Sequence, residues 1–183
     1  MNNAAFFTAA RGCRNTGAGS ALAIAGLTTA VQSFIDQTDT DGDPLALSAK
    51  LLLVPSALLA TGWQLMNSTN LMVGGGSALA NLPDQNPHAG NYKLAMSAYL
   101  SMAADTGYSS TAWYLLADPQ DLSVIETVFL NGKQEPTVEH ADADFSVLGV
   151  QFRGYHDFGV TKQDYRGGVA NDGAYPLFGV GLA

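Results

Sequence analysis

Apolar residues recur every third or fourth position from residue 24: Ile24, Leu27, Val31, Phe34 and Ile35. That spacing lays them along one stripe of a helix, with Gln32, Ser33 and Asp36 on the other side. Gly12, Gly17 and Gly19 interrupt the chain upstream, so residues 1–19 read as an irregular lead-in. Ser20 is expected to cap the helix, since its hydroxyl can accept from a first-turn N–H. The helix should stop near Gln37, before the turn-rich run Asp39-Thr40-Asp41-Gly42-Asp43-Pro44. From Lys50 to Val54 the apolar positions no longer alternate, as in a strand buried on both faces. Pro55 then opens a second helix, because a first-turn residue does not need its N–H. Leu58, Leu59, Leu65 and Met66 sit on that helix, which should end near Asn67.

The periodicity lapses from residue 67 to 91. Gly74-Gly75-Gly76, Pro83, Pro87 and Gly90 argue for a long irregular loop, a feature that compact domains keep for function. From Tyr92 onward the pattern is that of strands, over 94–100, 111–116 and 124–130. Asn131-Gly132 predicts a hairpin whose return strand is 135–140, because both residues accept positive φ. A turn at 142–144 leads to 145–148, and 150–158 pairs with 160–165 about Gly159. The glycine-rich stretch 167–183 reads as an extended tail. Helices followed by an antiparallel sheet make an α+β order.

Composition sharpens this picture. Only 13% of the 183 residues are charged, against about 25% in an ordinary soluble domain. Uncharged Asn, Gln, Ser, Thr and Gly take their place, and interface cores are depleted in charge in the same way. The net charge is −8. No basic stripe exists for phosphate, and the one close basic pair is Arg11 with Arg14, which excludes sequence-specific nucleic-acid binding. An acidic wall can still enclose DNA without gripping it. Cys13 is the single cysteine, so no internal disulfide or cysteine zinc cluster is expected. No apolar run reaches membrane length, and the opening residues lack a secretory pattern.

Candidate chemistry is sparse. Asp39 to Asp43 resembles a calcium loop, but Pro44 stands where that loop needs Gly, and Lys50 where it needs Glu. Gly17-Ala18-Gly19-Ser20 lacks the lysine of a phosphate loop. Asp157-Phe158-Gly159 matches a kinase triplet without its companion motifs. His88, His140 and His156 show no metal-ligand spacing. No G-x-S-x-G elbow is present, and Asp142 and Asp144 lie on an expected solvated turn. Trp63, Trp113 and Tyr114 sit in apolar runs and are expected to pack in the core. No catalytic, cofactor-binding or metal residue is assigned, and no cofactor is expected.

Several segments nevertheless share an order with a known family. They are Leu52-Leu53-Val54-Pro55 with Leu58 and 65–68, Thr111-Ala112-Trp113-Tyr114 through Pro119, and Ile125-Glu126 with 129–136. Gly149-Val150-Gln151-Phe152-Arg153, His156-Asp157-Phe158-Gly159 and Asp164-Tyr165-Arg166-Gly167 follow. In order and spacing, from about residue 4 to 171, the set resembles the Mu-like and protease-fused major head proteins of tailed phages. The resemblance implies an α+β Hong Kong 97-type capsid fold. Residues 20–148 would be an axial-type domain and 149–167 strands of the peripheral domain, between the lead-in 1–19 and a tail at 168–183. The family's N-terminal arm, extended loop and spine helix have no counterpart in this sequence.

The implied role is a virion shell subunit, assembled in the host cytoplasm, that meets copies of itself in pentamers and hexamers. Portal, scaffold or head protease would be further partners, and no membrane is implied. Asn67, Asn70, Gly74, Asn81 and Asn86, in the long loop, are the candidate intersubunit contacts. The alternatives are a small hydrolase with a site built from distant acids and His156, or a ligand-binding module.

Overall fold

The computed structural model describes residues 6–17, 19–72, 83–105, 107–142 and 149–173. In chain order the elements are β1 (Arg14–Asn15), α1 (Ile24–Ile35), β2 (Ala49–Pro55), α2 (Leu59–Asn67), β3 (Asn70–Met72), β4 (Pro83–Gln85), β5 (Lys93–Ser97), β6 (Trp113–Ala117), β7 (Ile125–Phe129), β8 (Thr137–Asp142), β9 (Val150–Tyr155), β10 (Phe158–Lys162) and β11 (Gly168–Asn171). This is a mixed α+β chain in two compact units. Residues 1–124 with 164–183 make unit one, and residues 125–163 make unit two.

Unit one is built on a five-stranded sheet of order β1-β11-β6-β2-β5. The sheet is mixed, not purely antiparallel as expected. β1 runs parallel to β11 and β2 parallel to β5, while β6 is antiparallel to both β11 and β2. Alternation in β6 explains its two faces. Trp113, Leu115 and Ala117 are buried with Leu52, Val54 and Val169 against Leu27, Ala30 and Phe34 of α1 and Leu65 and Met66 of α2. Tyr114 and Leu116 point the other way, into a smaller cluster of Phe7, Cys13, Val124 and Ala170. Each large apolar side chain so buried contributes about 1.5–3 kcal/mol.

The expected helices form, with local differences. Ser20 does not cap α1. The cap position is Ala23, with no side-chain bond. Ser20 is fully buried and its hydroxyl donates to the Gly17 carbonyl at 2.8 Å, while its own carbonyl accepts from Trp113 Nε1 at 2.9 Å. Ile35 falls off the buried stripe of α1, and Gly26 and Ala30 take its place. The run 39–44 is a solvated turn as expected. The Thr40 N–H donates to Asp39 Oδ1 at 2.6 Å, and Gly42 adopts φ 90°.

Four expectations about the chain beyond α2 are corrected. Within the stretch read as wholly irregular, β3 and β4 pair antiparallel. Residues 168–171, read as part of a free tail, are the fully buried strand β11. The glycine there serves close packing, since a Cβ on Gly168 would lie 2.8 Å from Leu116 Cδ2 and 3.1 Å from Phe7 Cε1. The tail beyond 173 lies outside the described residues.

The hairpin at Asn131-Gly132 also differs. Both residues take the positive φ expected, 55° and 71°. The strand after them does not pair back, however. β7 pairs with β10, from Phe129↔Phe158 to Ile125↔Lys162, and β8 pairs with β9, from Thr137↔Tyr155 to Asp142↔Val150. The expected pairing of 150–158 with 160–165 is therefore absent, because each strand has its partner on the far side of the chain segment. The expected strand at 145–148, and all but Asp142 of the turn before it, lie outside the described residues.

Candidate interaction surfaces

Unit two is two antiparallel ribbons, and among its described residues none is buried. Its strands are nonetheless rich in β-branched and aromatic side chains. Phe152 is 72% exposed, Val138 67%, Ile125 61% and Phe158 60%. Cross-strand contacts hold the ribbons locally. Glu139 takes Arg153 at 2.6–2.7 Å and the Tyr155 hydroxyl at 3.4 Å. His156 stacks on Phe129 at 5.7 Å between centroids and leans on Phe158 at 5.2 Å. The Gln163 amide donates to the Glu126 carboxylate. Two-stranded ribbons of this kind are marginal in water unless something covers an apolar face.

Unit one presents a second exposed apolar region along β5, the outermost strand of its sheet. α2 lies against β2 and β5, and Gly62 lets it approach Leu94 closely. Trp63, the next residue, is 62% exposed, so the expectation that it packs in the core fails. A helix of 9 residues has one buried stripe, and Gly62, Leu65 and Met66 occupy it. Met96 and Tyr99 are also exposed on this flank. Trp113, by contrast, is buried at the centre of the core.

The candidate contact residues of the long loop fall in different settings. Asn67 ends α2, exposed, its amide donating to the Trp63 carbonyl at 2.9 Å. Asn70 begins β3, opposite Gln85. Gly74 and Asn81 lie outside the described residues. Asn86 is buried and closes the end of α2. Its amide donates to the Leu65 carbonyl at 2.6 Å and the Ser68 carbonyl at 2.9 Å, and its oxygen accepts from the His88 N–H at 3.0 Å. The Gly90 N–H adds a bond to the Met66 carbonyl. Helix C-termini leave such carbonyls without partners, and this segment supplies them.

The residues capable of chemistry are dispersed. His88 is buried beside α1, its ring 2.9 Å from the Thr28 hydroxyl and 3.4 Å from the Tyr92 hydroxyl. Burial holds its pKa below the ordinary value. His140 and His156 both belong to unit two, on β8 and just after β9. Cys13 is fully buried, and burial pushes its thiol pKa up. Arg11 and Arg166 both stack on the Tyr165 ring, at 4.5 and 5.4 Å, in a cleft that also holds Asp36 and Asp39. Arg166 pairs with Asp39 and Asp164, each at 3.5 Å. The Thr40 N–H is the main cause holding the Asp39 carboxyl below its usual range. Among the described residues no three His, Cys, Asp or Glu converge where a metal could be held.

Among the described residues the chain thus combines exposed apolar ribbons with dispersed ionisable groups, in a sequence poor in charge. The chain belongs to the phage capsid protein family, whose model matches residues 2–171. No curated protein and no solved structure matches it significantly. Its role is therefore structural, in a phage capsid.

Proposed function

We propose that this chain is a shell subunit of a tailed-phage head that assembles with copies of itself into pentamers and hexamers around DNA. The proposed architecture is of the Hong Kong 97 type, as in Mu-like head proteins. In this reading residues 20–148 make the axial-type domain, and the strands within 149–167 belong to the peripheral one. The observation that supports this reading most is unit two: a segment of paired strands carrying large apolar side chains and, among its described residues, no buried position. Apolar area of that kind is stabilised by removal from water, at about 25 cal/mol per Å², and neighbouring subunits supply the cover. Weak contacts suffice when many act together. Catalysis has no part in this role. Portal, scaffold and head protease are the partners it implies beyond the shell itself.

The test is assembly of the full chain over a rising concentration series, read by sedimentation velocity and negative-stain electron microscopy. Rings or shells are expected. A monodisperse monomer throughout the series sinks the reading. The long loop is proposed to carry intersubunit contacts through Asn67, Asn70, Gly74 and Asn81, with Asn86 anchoring its base. Replacing residues 70–82 by a short linker should preserve the circular dichroism spectrum and impair ring formation. Light scattering identical to that of the unaltered chain refutes this role for the loop.

A further inference from the structure

We propose, resting on the shell-subunit reading, that the β5 edge of unit one docks on the acidic loop of the next copy, so that the two form a head-to-tail contact. The β5 side of the sheet carries Lys93, with Lys50 on the neighbouring β2 and Trp63 on α2, and the acidic loop carries Asp36, Asp41 and Asp43.

Charge bookkeeping within unit one leads to this pairing. Its described cations are Arg11, Arg14, Lys50, Lys93 and Arg166. Arg14 is held by a two-point bond to Asp172 at 2.9 and 3.0 Å. Arg166 is held by Asp39 and Asp164, and Arg11 lies over Tyr165 while donating to the Phe6 carbonyl. Arg11, Lys50 and Lys93 make no ion pair with a described residue, but the Arg11 guanidinium is engaged by Tyr165 and Phe6, whereas the two lysine side chains have no such partner among the described residues. In the loop after α1, Asp39 is taken by Arg166, whereas Asp36, Asp41 and Asp43 are exposed and form no ion pair with a described residue. Asp105, Asp118 and Asp121 of unit one also form no ion pair with a described residue, but they lie on other loops; the set grouped after α1 and the two lysines have opposite sign.

Their placement in the sheet fits a contact between different surfaces. The acidic loop sits on the β1 and β11 side, since the Gln37 amide bonds to the Gly12 carbonyl at 3.2 Å and Asp39 reaches Arg166 just before β11. The lysines sit on the opposite side, on β2 and the outermost strand β5. Strand spacing puts the two sheet edges roughly 20 Å apart. β2, β5 and β11 all run in one direction, because β6 is antiparallel to β2 and to β11 while β5 is parallel to β2. Lys50, Lys93 and Arg166 all lie at or just before the starts of these strands. Both charged sets therefore lie at the same end of the sheet.

A copy rotated about an axis along the strands meets its neighbour edge to edge, lysines level with aspartates. A two-fold rotation about such an axis would instead set lysine against lysine. Contacts between unlike surfaces close into rings when the rotation closes. Lysines on an edge strand can also serve merely to block unwanted strand pairing, but that function leaves the exposed Trp63 and Tyr99 on the same flank without a reason.

The experiment uses the full chain with two charge-reversed variants, Lys50→Glu with Lys93→Glu, and Asp41→Lys with Asp43→Lys. Each variant alone should need at least about tenfold more protein to form rings, about 1.4 kcal/mol per contact. Circular dichroism should show both folded. Mixed in equal amounts they should assemble again into even-membered rings such as hexamers, because a ring alternating the two restores opposite charges at every contact. If the unaltered chain forms rings and either variant forms them at the same concentration, the docking is overturned while the shell role stands. Failure of two folded variants to rescue each other overturns it equally. An unaltered chain that stays monomeric overturns both. Should a reversal disturb folding, Lys93→Ala, at an exposed side chain, reads the same shift in smaller measure.

Discussion

Helix propensity and close packing make opposite predictions for Gly26→Ala. In a helix interior alanine is favoured over glycine by about 0.8–1 kcal/mol, and Gly26 lies in the first turn of α1. Its bare α-carbon, however, faces the Ala21 carbonyl oxygen. A Cβ built there would lie well inside contact distance of that oxygen and 3.1 Å from the Gly19 carbonyl oxygen. Both obstacles are backbone, so neither can step aside by changing rotamer. Relieving them means moving residues 19–21, and with them Ser20, whose carbonyl holds the indole N–H of Trp113 at the centre of the core. Overpacking of this kind costs about 1–3 kcal/mol. Loss of the Trp113 bond adds about 1 kcal/mol. Set against the propensity gain, the net expectation is a loss of about 2 kcal/mol. For a domain of this size that lowers Tm by roughly 4–8 °C and the urea midpoint by about 1 M. Equilibrium unfolding followed by tryptophan fluorescence, at protein concentrations low enough to avoid association, reads the shift. A midpoint unchanged or raised in Gly26→Ala would show that the entry to α1 is not packed as described.

Asn86→Ala should cost about 2–3 kcal/mol, since it strips the buried Leu65 carbonyl and the part-buried Ser68 carbonyl, at and just past the end of α2, of their donor; a urea midpoint within error of the parent refutes the sealing role. His88 makes stability depend on pH with a definite sign. Its folded pKa lies below the ordinary 6.5, so between the two values the unfolded chain binds more protons. Stability should therefore be full above about pH 6.5 and fall as pH drops below it, by at most about 1.4 kcal/mol per pH unit. A His88→Gln variant should lose that part of the slope, and unchanged slopes in the two proteins contradict the assignment. Cys13, buried and with a raised pKa, should react with a thiol-directed disulfide reagent only on unfolding; rapid labelling of the native chain would place it elsewhere.

Much of unit one was legible because its signals are local. The strand and helix of residues 49–67 follow from an apolar run that meets a proline, although Pro55 closes β2 and a 3-10 turn at Ser56–Leu58 stands between it and α2. The stripe of α1 and the strands around Trp113 follow from their periods. Trp63 escapes such a reading because periodicity says that a helix has a buried face, not how wide it is. The pairing of unit two was hidden for a different reason. Asn131-Gly132 signals a bend, and the bend is there, but β7 and β8 each alternate well enough to accept several partners. Only the long-range register between 125–129 and 158–162 decides among them. β11 was hidden by composition, since Gly167 and Gly168 read as flexibility when they in fact admit Leu122, Leu116 and Phe7 to close contact. The contact surfaces were visible only as a shortage of charge. Which lysines and aspartates go unmatched depends on the fold that brings the other charges together.

The placement of β11 between β1 and β6 bears on how the protein is made. The side-chain bond between Asn15 and Asn171 links positions 156 residues apart, so the central sheet has a vacant slot until residue 171 has left the ribosome. Through most of translation β6 shows an open flank and β1 has nothing to join. Closure over so long a loop is slow, and unfilled flanks are where nascent chains stick to one another. Synthesis rate and chaperone supply thus become determinants of how much of the chain reaches its folded state.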